Sequence, residues 1–242
     1  MFRLIFSFAR GEGLKYLSHL DLVRLFQRAL RRAGIPVAFS RGYNPRPRVS
    51  LTVPLPLGVT ADQEYGELYL RERVRPQEFA EKLNRQLPPG LFLTGAGEAE
   101  AGTRSLSAVI DAALYQATRT GTDPARGQRW REAVENLLAR PEIKINRGRP
   151  GKASKLVDIR PYIYNLTVVN RQATAGIALR MLLQVGSRGG VSPFLVLQQL
   201  VTATGDLEET RRWRIHRRGL YIYGEELILP LPRGGNYFWI RK

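Results

Sequence analysis

The sequence predicts an α+β protein made of two tandem ferredoxin-like (βαββαβ) domains, residues 1–102 and 103–242. Three observations carry that expectation. Short alternating apolar stretches are interleaved with segments whose apolar residues recur every three to four positions, so strands and helices both occur. Each half gives the order strand, helix, strands, helix, strand, which is the split βαβ pattern. A run rich in Gly, Ala and Glu, Gly95 to Gly102, separates the halves and reads as a linker.

Phe2, Leu4, Phe6 and Phe8 alternate with Arg3, Ile5 and Ser7, the pattern of a half-buried strand that Gly11 and Gly13 end. Ser18 is placed to cap the helix that follows, with Asp21 as its capping-box partner. Leu22, Leu25, Phe26, Ala29, Leu30 and Ala33 form that helix's apolar stripe, and Gly34 and Pro36 stop it. Its outer face carries Arg24, Arg28, Arg31 and Arg32 and reads as solvated. Val37 to Phe39, Val49 to Val53 and Tyr65 to Arg71 read as strands. Pro76 opens a second helix with Phe79, Ala80, Leu83 and Leu87 on one face, and Leu91 to Thr94 is the closing strand.

In the second half, Ser107 to Thr118 is expected as a strand because Ala108, Ile110, Ala112 and Leu114 alternate. Trp130, Ala133, Val134, Leu137 and Leu138 mark a helix, and Tyr162 to Asn170 and Ile177 to Val185 are strands. Ser192-Pro193 caps and opens a helix that ends at Gly205. Arg211 to Arg217 and Leu220 to Tyr223 are expected as a basic hairpin, 211–223, turning at Arg218-Gly219.

Lys and Arg number 38 against 21 Asp and Glu, a formal charge of +17 in 242 residues. Such an excess calls for an anionic partner. Arginine dominates, which suits phosphate forks and stacking on bases. Cysteine is absent, so a disulfide framework and a cysteine-ligated iron–sulfur cluster are excluded. With two histidines, His19 and His216, a multi-histidine zinc site is not expected, and no cofactor is implied. No apolar run reaches membrane-spanning length, and the first residues read as a strand rather than a signal peptide, so a cytoplasmic protein is expected.

Four places could carry chemistry. In the Arg-rich loop 40–48, Gly42 and Asn44-Pro45 make a turn, Pro45 and Pro47 stiffen it, and Arg41, Tyr43, Asn44, Arg46 and Arg48 project from it. Asp62, Glu64 and Glu67 follow and could pair with those arginines. The basic insert 141–160 holds Lys144, Arg147, Arg149, Lys152, Lys155 and Arg160, and its character suits backbone contact with nucleic acid. In the third cluster, Arg212, Arg214, His216 and Arg218 share one strand face, opposite Trp213 and Ile215. With Tyr221 and Tyr223 on a returning strand, it could bind single-stranded RNA, and Arg233 to Trp239 could add a contact strip. The fourth is His19, the catalytic candidate. At a helix N-terminus it would be held neutral, a state that can accept a proton from a ribose 2′-hydroxyl, with Lys15, Tyr16 and Tyr43 nearby.

Tyr16-Leu17-Ser18-His19-Leu20-Asp21, Arg41-Gly42-Tyr43-Asn44-Pro45, Pro54-Leu55-Pro56-Leu57-Gly58 and Glu64-Tyr65 together resemble the radical S-adenosylmethionine-linked protein family, a domain of unknown function. The resemblance covers most of the chain and is most specific over residues 14 to 70. Members of that family are encoded beside, or fused to, a radical S-adenosylmethionine protein. The resemblance therefore implies a protein partner but no activity. The layout is more remotely similar to repeat-associated RNA-binding proteins, which include CRISPR RNA-processing endonucleases. The expected function is an RNA-binding accessory protein that presents RNA, of the tRNA or rRNA kind, to a radical S-adenosylmethionine enzyme. The alternatives are a metal-independent endoribonuclease using His19 and an interaction module for an acidic enzyme surface.

Overall fold

The computed structural model describes residues 1–99, 102–120, 124–147, 155–171, 176–205, 212–224, 227–228 and 239–240. It is a mixed α+β protein. In chain order the elements are β1 (Phe2–Arg10), α1 (His19–Arg32), β2 (Val49–Leu51), β3 (Thr60–Leu70), α2 (Pro76–Asn84), β4 (Leu91–Glu98), α3 (Leu106–Val109) and β5 (Ala112–Arg119). There follow α4 (Pro124–Ala139), β6 (Lys144–Arg147), β7 (Lys155–Asp158), β8 (Ile163–Arg171), β9 (Gly176–Gln184), α5 (Pro193–Thr204), β10 (Arg214–Tyr223), β11 (Leu227–Ile228) and β12 (Trp239–Ile240). The chain forms two compact units, Met1–Ala112 with Arg217–Lys242, and Ala113–His216. Among the described residues no helix is long and apolar enough to cross a membrane.

In the first unit β1 lies between β3 and β4, antiparallel to both, and β2 pairs with the other edge of β3. Leu4, Phe6 and Phe8 turn one face of β1 onto Leu22, Phe26, Ala29 and Leu30 of α1 and onto Phe79 and Leu83 of α2. The Phe6 and Phe26 rings stand 5.4 Å apart and those of Phe8 and Phe26 5.0 Å, distances at which tilted aromatic pairs attract. Gly66 sits opposite both Phe6 and Leu51, and a Cβ there would stand 2.3 Å from Phe6 Cζ. Glycine is what leaves room for that ring against the strand.

The first strand is not half-buried as its alternation suggests. Ile5, Ser7 and Ala9 on its other face are buried too. The chain after β4 is tied across that face: Arg3 donates to the carbonyls of Thr103 (2.7 Å) and Arg104 (2.9 Å), and Glu67 accepts from the Leu106 amide (3.2 Å). The expected linker is also partly strand, because β4 continues to Glu98 with Gly95, Ala96 and Gly97 paired to Ser7, Phe6 and Ile5. The expected strand from Ser107 begins instead as α3, after Ser105, and only Ala112–Arg119 is extended. Ile110 and Ala112 are buried as their alternation suggests, but beyond them the buried residues are Ala113, Tyr115, Ala117 and Arg119, the opposite phase to the one expected.

In the second unit β9 lies between β5 and β8. Leu179, Met181 and Leu183 of β9 are fully buried, and Trp130 of α4 meets Trp213 with ring centres 4.9 Å apart. Ser192 caps α5, accepting from the Phe194 amide, and Gly205 ends it at φ 74°. The basic hairpin expected at 211–223 is not one. Arg214 to Tyr223 is a single strand, β10, running through Arg218-Gly219 without a turn. Gly219 stays extended there, and its missing Cβ leaves room for the Tyr221 hydroxyl, 2.9 Å from where a Cβ would stand.

Candidate functional site

The Arg-rich loop is a closed projection on the first unit. The Ser40 amide donates to the Arg46 carbonyl (2.9 Å), the Arg46 amide to Ser40 Oγ (3.0 Å) and the Arg48 amide to the Ala38 carbonyl (2.7 Å). These bonds fix the base, so residues 41 to 45 are presented on a rigid support. Tyr43 is fully exposed, and Arg41, Asn44 and Arg46 are exposed beside it. Gly42 supplies the positive φ, 126°, that the turn requires. Arg48 has a different role: its guanidinium lies 3.9 Å from the centre of the Tyr69 ring, a cation–π contact that pins the loop to β3.

The acids that follow do not pair with this loop. Glu64 binds Arg217, Glu67 binds Arg3 (2.5 Å) and Asp62 binds Arg218 (2.8 Å). The loop's own charge stays uncompensated: among the described residues neither Arg41 nor Arg46 has a carboxylate within ion-pair distance.

Beside the loop lies a groove of about 560 Å³. Arg24, Arg28 and Arg31 border it from α1, at spacings of four and three that place them on one helix face, and Arg71 joins from the end of β3. Its floor is apolar, with buried Leu30, Ile35 and Val37 and half-exposed Phe39. Phe39 and Pro47 pair across the base of the Arg-rich loop, so loop and groove are contiguous. From the sequence the α1 arginines read as a solvated face. Their helical spacing was the available signal, but the meeting with Arg71 and Phe39 depends on tertiary packing.

His19 is the first residue of α1. Its neighbour Ser18 caps the helix as expected, accepting from the Asp21 amide (3.2 Å) and donating to the Asp21 carboxylate (2.7 Å). That hydrogen bond, helped by Arg24, holds the Asp21 carboxyl below its usual range. His19 lines a small cavity, about 10 Å³, with Arg10, Thr52, Glu64 and Tyr65. Arg10 is buried and donates to the carbonyls of Leu14 (2.9 Å) and Leu17 (2.5 Å). Arg217 is fully buried and forks onto Glu64, with a further bond to the Val53 carbonyl (3.0 Å). Burial pushes the His19 imidazole below its ordinary value, and the Arg10 and Arg217 charges add to that. The ring is therefore neutral at pH 7, the state a general base needs. Its expected neighbours differ: Lys15 pairs with Glu12 (2.8 Å), Tyr16 and Tyr43 stand exposed, and the aromatic residues lining the cavity are Phe8 and Tyr65. Sequence reasoning did not assign Arg10 or Arg217 to this site.

The remaining basic residues lie elsewhere. The insert 141–160 is anchored by a two-stranded sheet in which β6 and β7 pair from Lys144↔Asp158 to Arg147↔Lys155. Lys155 is exposed, but Arg160 is structural, donating to the Leu138 carbonyl (3.0 Å). Arg149 and Lys152 lie outside the described residues, as do Arg233 to Phe238. Along β10 and the two residues before it the expected alternation holds: Trp213 and Ile215 are buried, Arg212, Arg214 and Arg218 exposed and His216 half-buried. Tyr221 and Tyr223 occupy the same strand, two and four residues beyond Gly219, so they take the opposite face from the arginines.

Residues 3–193 match the model of a family described as "Uncharacterized protein conserved in bacteria (DUF2344)". The chain belongs to this family. No curated protein matches it. The matched span holds the Arg-rich loop, the groove, His19, Arg10 and Glu64, whereas Arg217 lies beyond it. The description names no activity or ligand, so the chemistry has to come from the site.

Proposed function

We propose that this protein is a cytoplasmic RNA-binding accessory protein that presents RNA, of the tRNA or rRNA kind, to a radical S-adenosylmethionine enzyme. The observation that carries the RNA part is the Arg-rich loop. Arg41, Tyr43 and Arg46 stand exposed on a hydrogen-bonded base, with no carboxylate at the two arginines among the described residues. Guanidiniums suit phosphates and an exposed ring suits an unstacked base. The formal charge of +17 agrees with such a partner. The enzyme partner rests on the family resemblance of residues 14 to 70. Tandem ferredoxin-like units are the scaffold we read here. Support comes from the first unit's strand–helix–strand–strand–helix–strand order, with β1 between β3 and β4 and β2 beyond β3.

Binding of purified protein to labelled total tRNA and to duplex DNA, across a salt titration, tests this. We expect tRNA to be held near physiological salt and the DNA to be released. The Arg41→Ala/Arg46→Ala variant should weaken tRNA binding and flatten the salt slope by roughly 0.7–0.9 for each phosphate no longer neutralised. Weak binding, equal for both polymers and gone at modest salt, overturns the reading.

A second reading, a metal-independent endoribonuclease, is favoured by the neutral His19 beside Arg10, Glu64 and Tyr65. It ranks lower because the cavity there, about 10 Å³, has room for a water-sized group rather than a phosphodiester. RNA cleavage in chelator that is abolished by His19→Ala with the fold intact would promote it.

A further inference from the structure

We infer that the groove bordered by α1, Phe39 and Arg71 is the seat for one unpaired nucleotide of a single-stranded RNA. The inference rests on the RNA-binding reading and narrows it to a substrate class. Its volume, about 560 Å³, falls within the range of roughly 300–1,000 Å³ typical of small-ligand sites. The chemistry of its walls is divided. Arg24, Arg28, Arg31 and Arg71 give it a cationic rim, and of these only Arg24 has a carboxylate within ion-pair distance among the described residues, an exposed contact to Asp21 at 3.3 Å, while Arg28 feels the same carboxylate from farther off. The floor is apolar, and Phe39 is 52% exposed although it is a large hydrophobic residue.

Each simpler ligand leaves half of this unused. A free phosphate has no use for the apolar floor. An apolar peptide has no use for four guanidiniums. A duplex offers phosphates and 2′-hydroxyls at its surface but keeps its bases stacked, so nothing would enter the floor. An unpaired nucleotide matches both: its phosphates meet the arginine forks and its base lies on Phe39. Contiguity with the loop extends the argument. Phe39 and Pro47 belong to the groove and to the loop base alike, so a strand leaving the groove reaches the exposed Tyr43 ring, where a neighbouring base can stack.

The test uses the full chain and a fluorescein-labelled oligoribonucleotide of about eight nucleotides, single-stranded or annealed to its complement, read by anisotropy. Phe39 is exposed, so Phe39→Ala leaves the fold intact, and a thermal melt of each variant checks this. Phe39→Ala should weaken single-strand binding by at least about fivefold and leave duplex binding unchanged. Arg28→Ala/Arg31→Ala should weaken it further and flatten the salt slope. If the wild type binds the single strand and the Arg41→Ala/Arg46→Ala loop variant weakens it, but both groove variants match the wild type, the groove assignment fails and the RNA reading stands. If the wild type binds no RNA, both fail. Equal loss on single strand and duplex overturns the unpaired-base assignment.

Discussion

Replacing Arg217 by alanine should unfold the first unit at distinctly lower temperature, although Arg217 touches no proposed ligand. The side chain is fully buried and forks onto Glu64, itself only 4% exposed, through Nε (2.6 Å) and a second N–H. It also donates to the Val53 carbonyl (3.0 Å), holding the Val53-Pro54 exit of β2. Breaking a buried pair by removing one partner costs about 3–5 kcal/mol, because the other charge is left uncompensated. Here the low end applies. Arg10 faces the same carboxylate: burial lowers the Arg10 pKa, Glu64 raises it and Arg217 lowers it, so removing Arg217 also relieves a repulsion. A cost of about 3 kcal/mol corresponds to a fall in melting temperature of roughly 6–12 °C for a protein of this size. The double variant Glu64→Gln/Arg217→Met removes both charges and keeps the volume. It should cost only about 1–2 kcal/mol, for the carbonyl that loses its donor and the amide left in place. Thermal and urea denaturation followed by circular dichroism read both variants. A single variant within about 1 kcal/mol of wild type, or a double variant less stable than the single, refutes the argument.

Gly66→Ala should destabilise the protein by about 1–3 kcal/mol, because its Cβ would stand 2.3 Å from Phe6 Cζ and 2.9 Å from Leu51 Cδ2; an unchanged urea midpoint would show that the ring moves freely. Ser18→Ala removes the α1 cap and should cost about 1 kcal/mol by the same measurement, whereas a variant as stable as wild type would mean water replaces the cap without loss. His19 has a folded pKa below its ordinary 6.5, so the unfolded chain binds more protons as acid is added. Its contribution is present above that ordinary value and is lost as pH falls through the lowered one. Urea midpoints of wild type and His19→Asn should therefore converge between about pH 7.5 and pH 5, and a constant gap would refute neutral burial.

The elements legible in the sequence are those whose signal is local. The Ser18 cap and the extended run of β1 lie within a few residues, and both form, although β1 is buried on both faces and the Asp21 carboxylate accepts its bond from the Ser18 hydroxyl. The basic strand face around Arg214 was readable for the same reason. What failed depends on distant partners. Gly95 to Gly97 look like linker until β1 is known to pair with them. Arg218-Gly219 looks like a turn because glycine permits one, yet β10 passes straight through. The acids after the loop pair with Arg3 and Arg217, separated from them by 64 and 153 residues, and no periodicity encodes such a choice. The groove was hidden for a related reason: an arginine stripe on a helix reads as solvated until the partner surface brings Phe39 and Arg71 beside it.

The net charge of +17 is consequently not all available for a ligand, and conservative substitutions should separate its two parts. Arg10, Arg160 and Arg217 direct their donors to carbonyls and a carboxylate inside the fold. Arg41 and Arg46 stand exposed on the loop. Arg10 reaches two carbonyls at once, Leu14 through Nε and Leu17 through a terminal nitrogen. That span needs a planar fork, and a lysine ammonium is a compact point charge. Arg10→Lys should thus lower the melting temperature while preserving charge. Arg41→Lys/Arg46→Lys should leave the melt unchanged and keep the salt slope of tRNA binding, since an ammonium still neutralises a phosphate. A stable Arg10→Lys together with a flattened salt slope in the loop variant would show that charge and shape are divided the other way round.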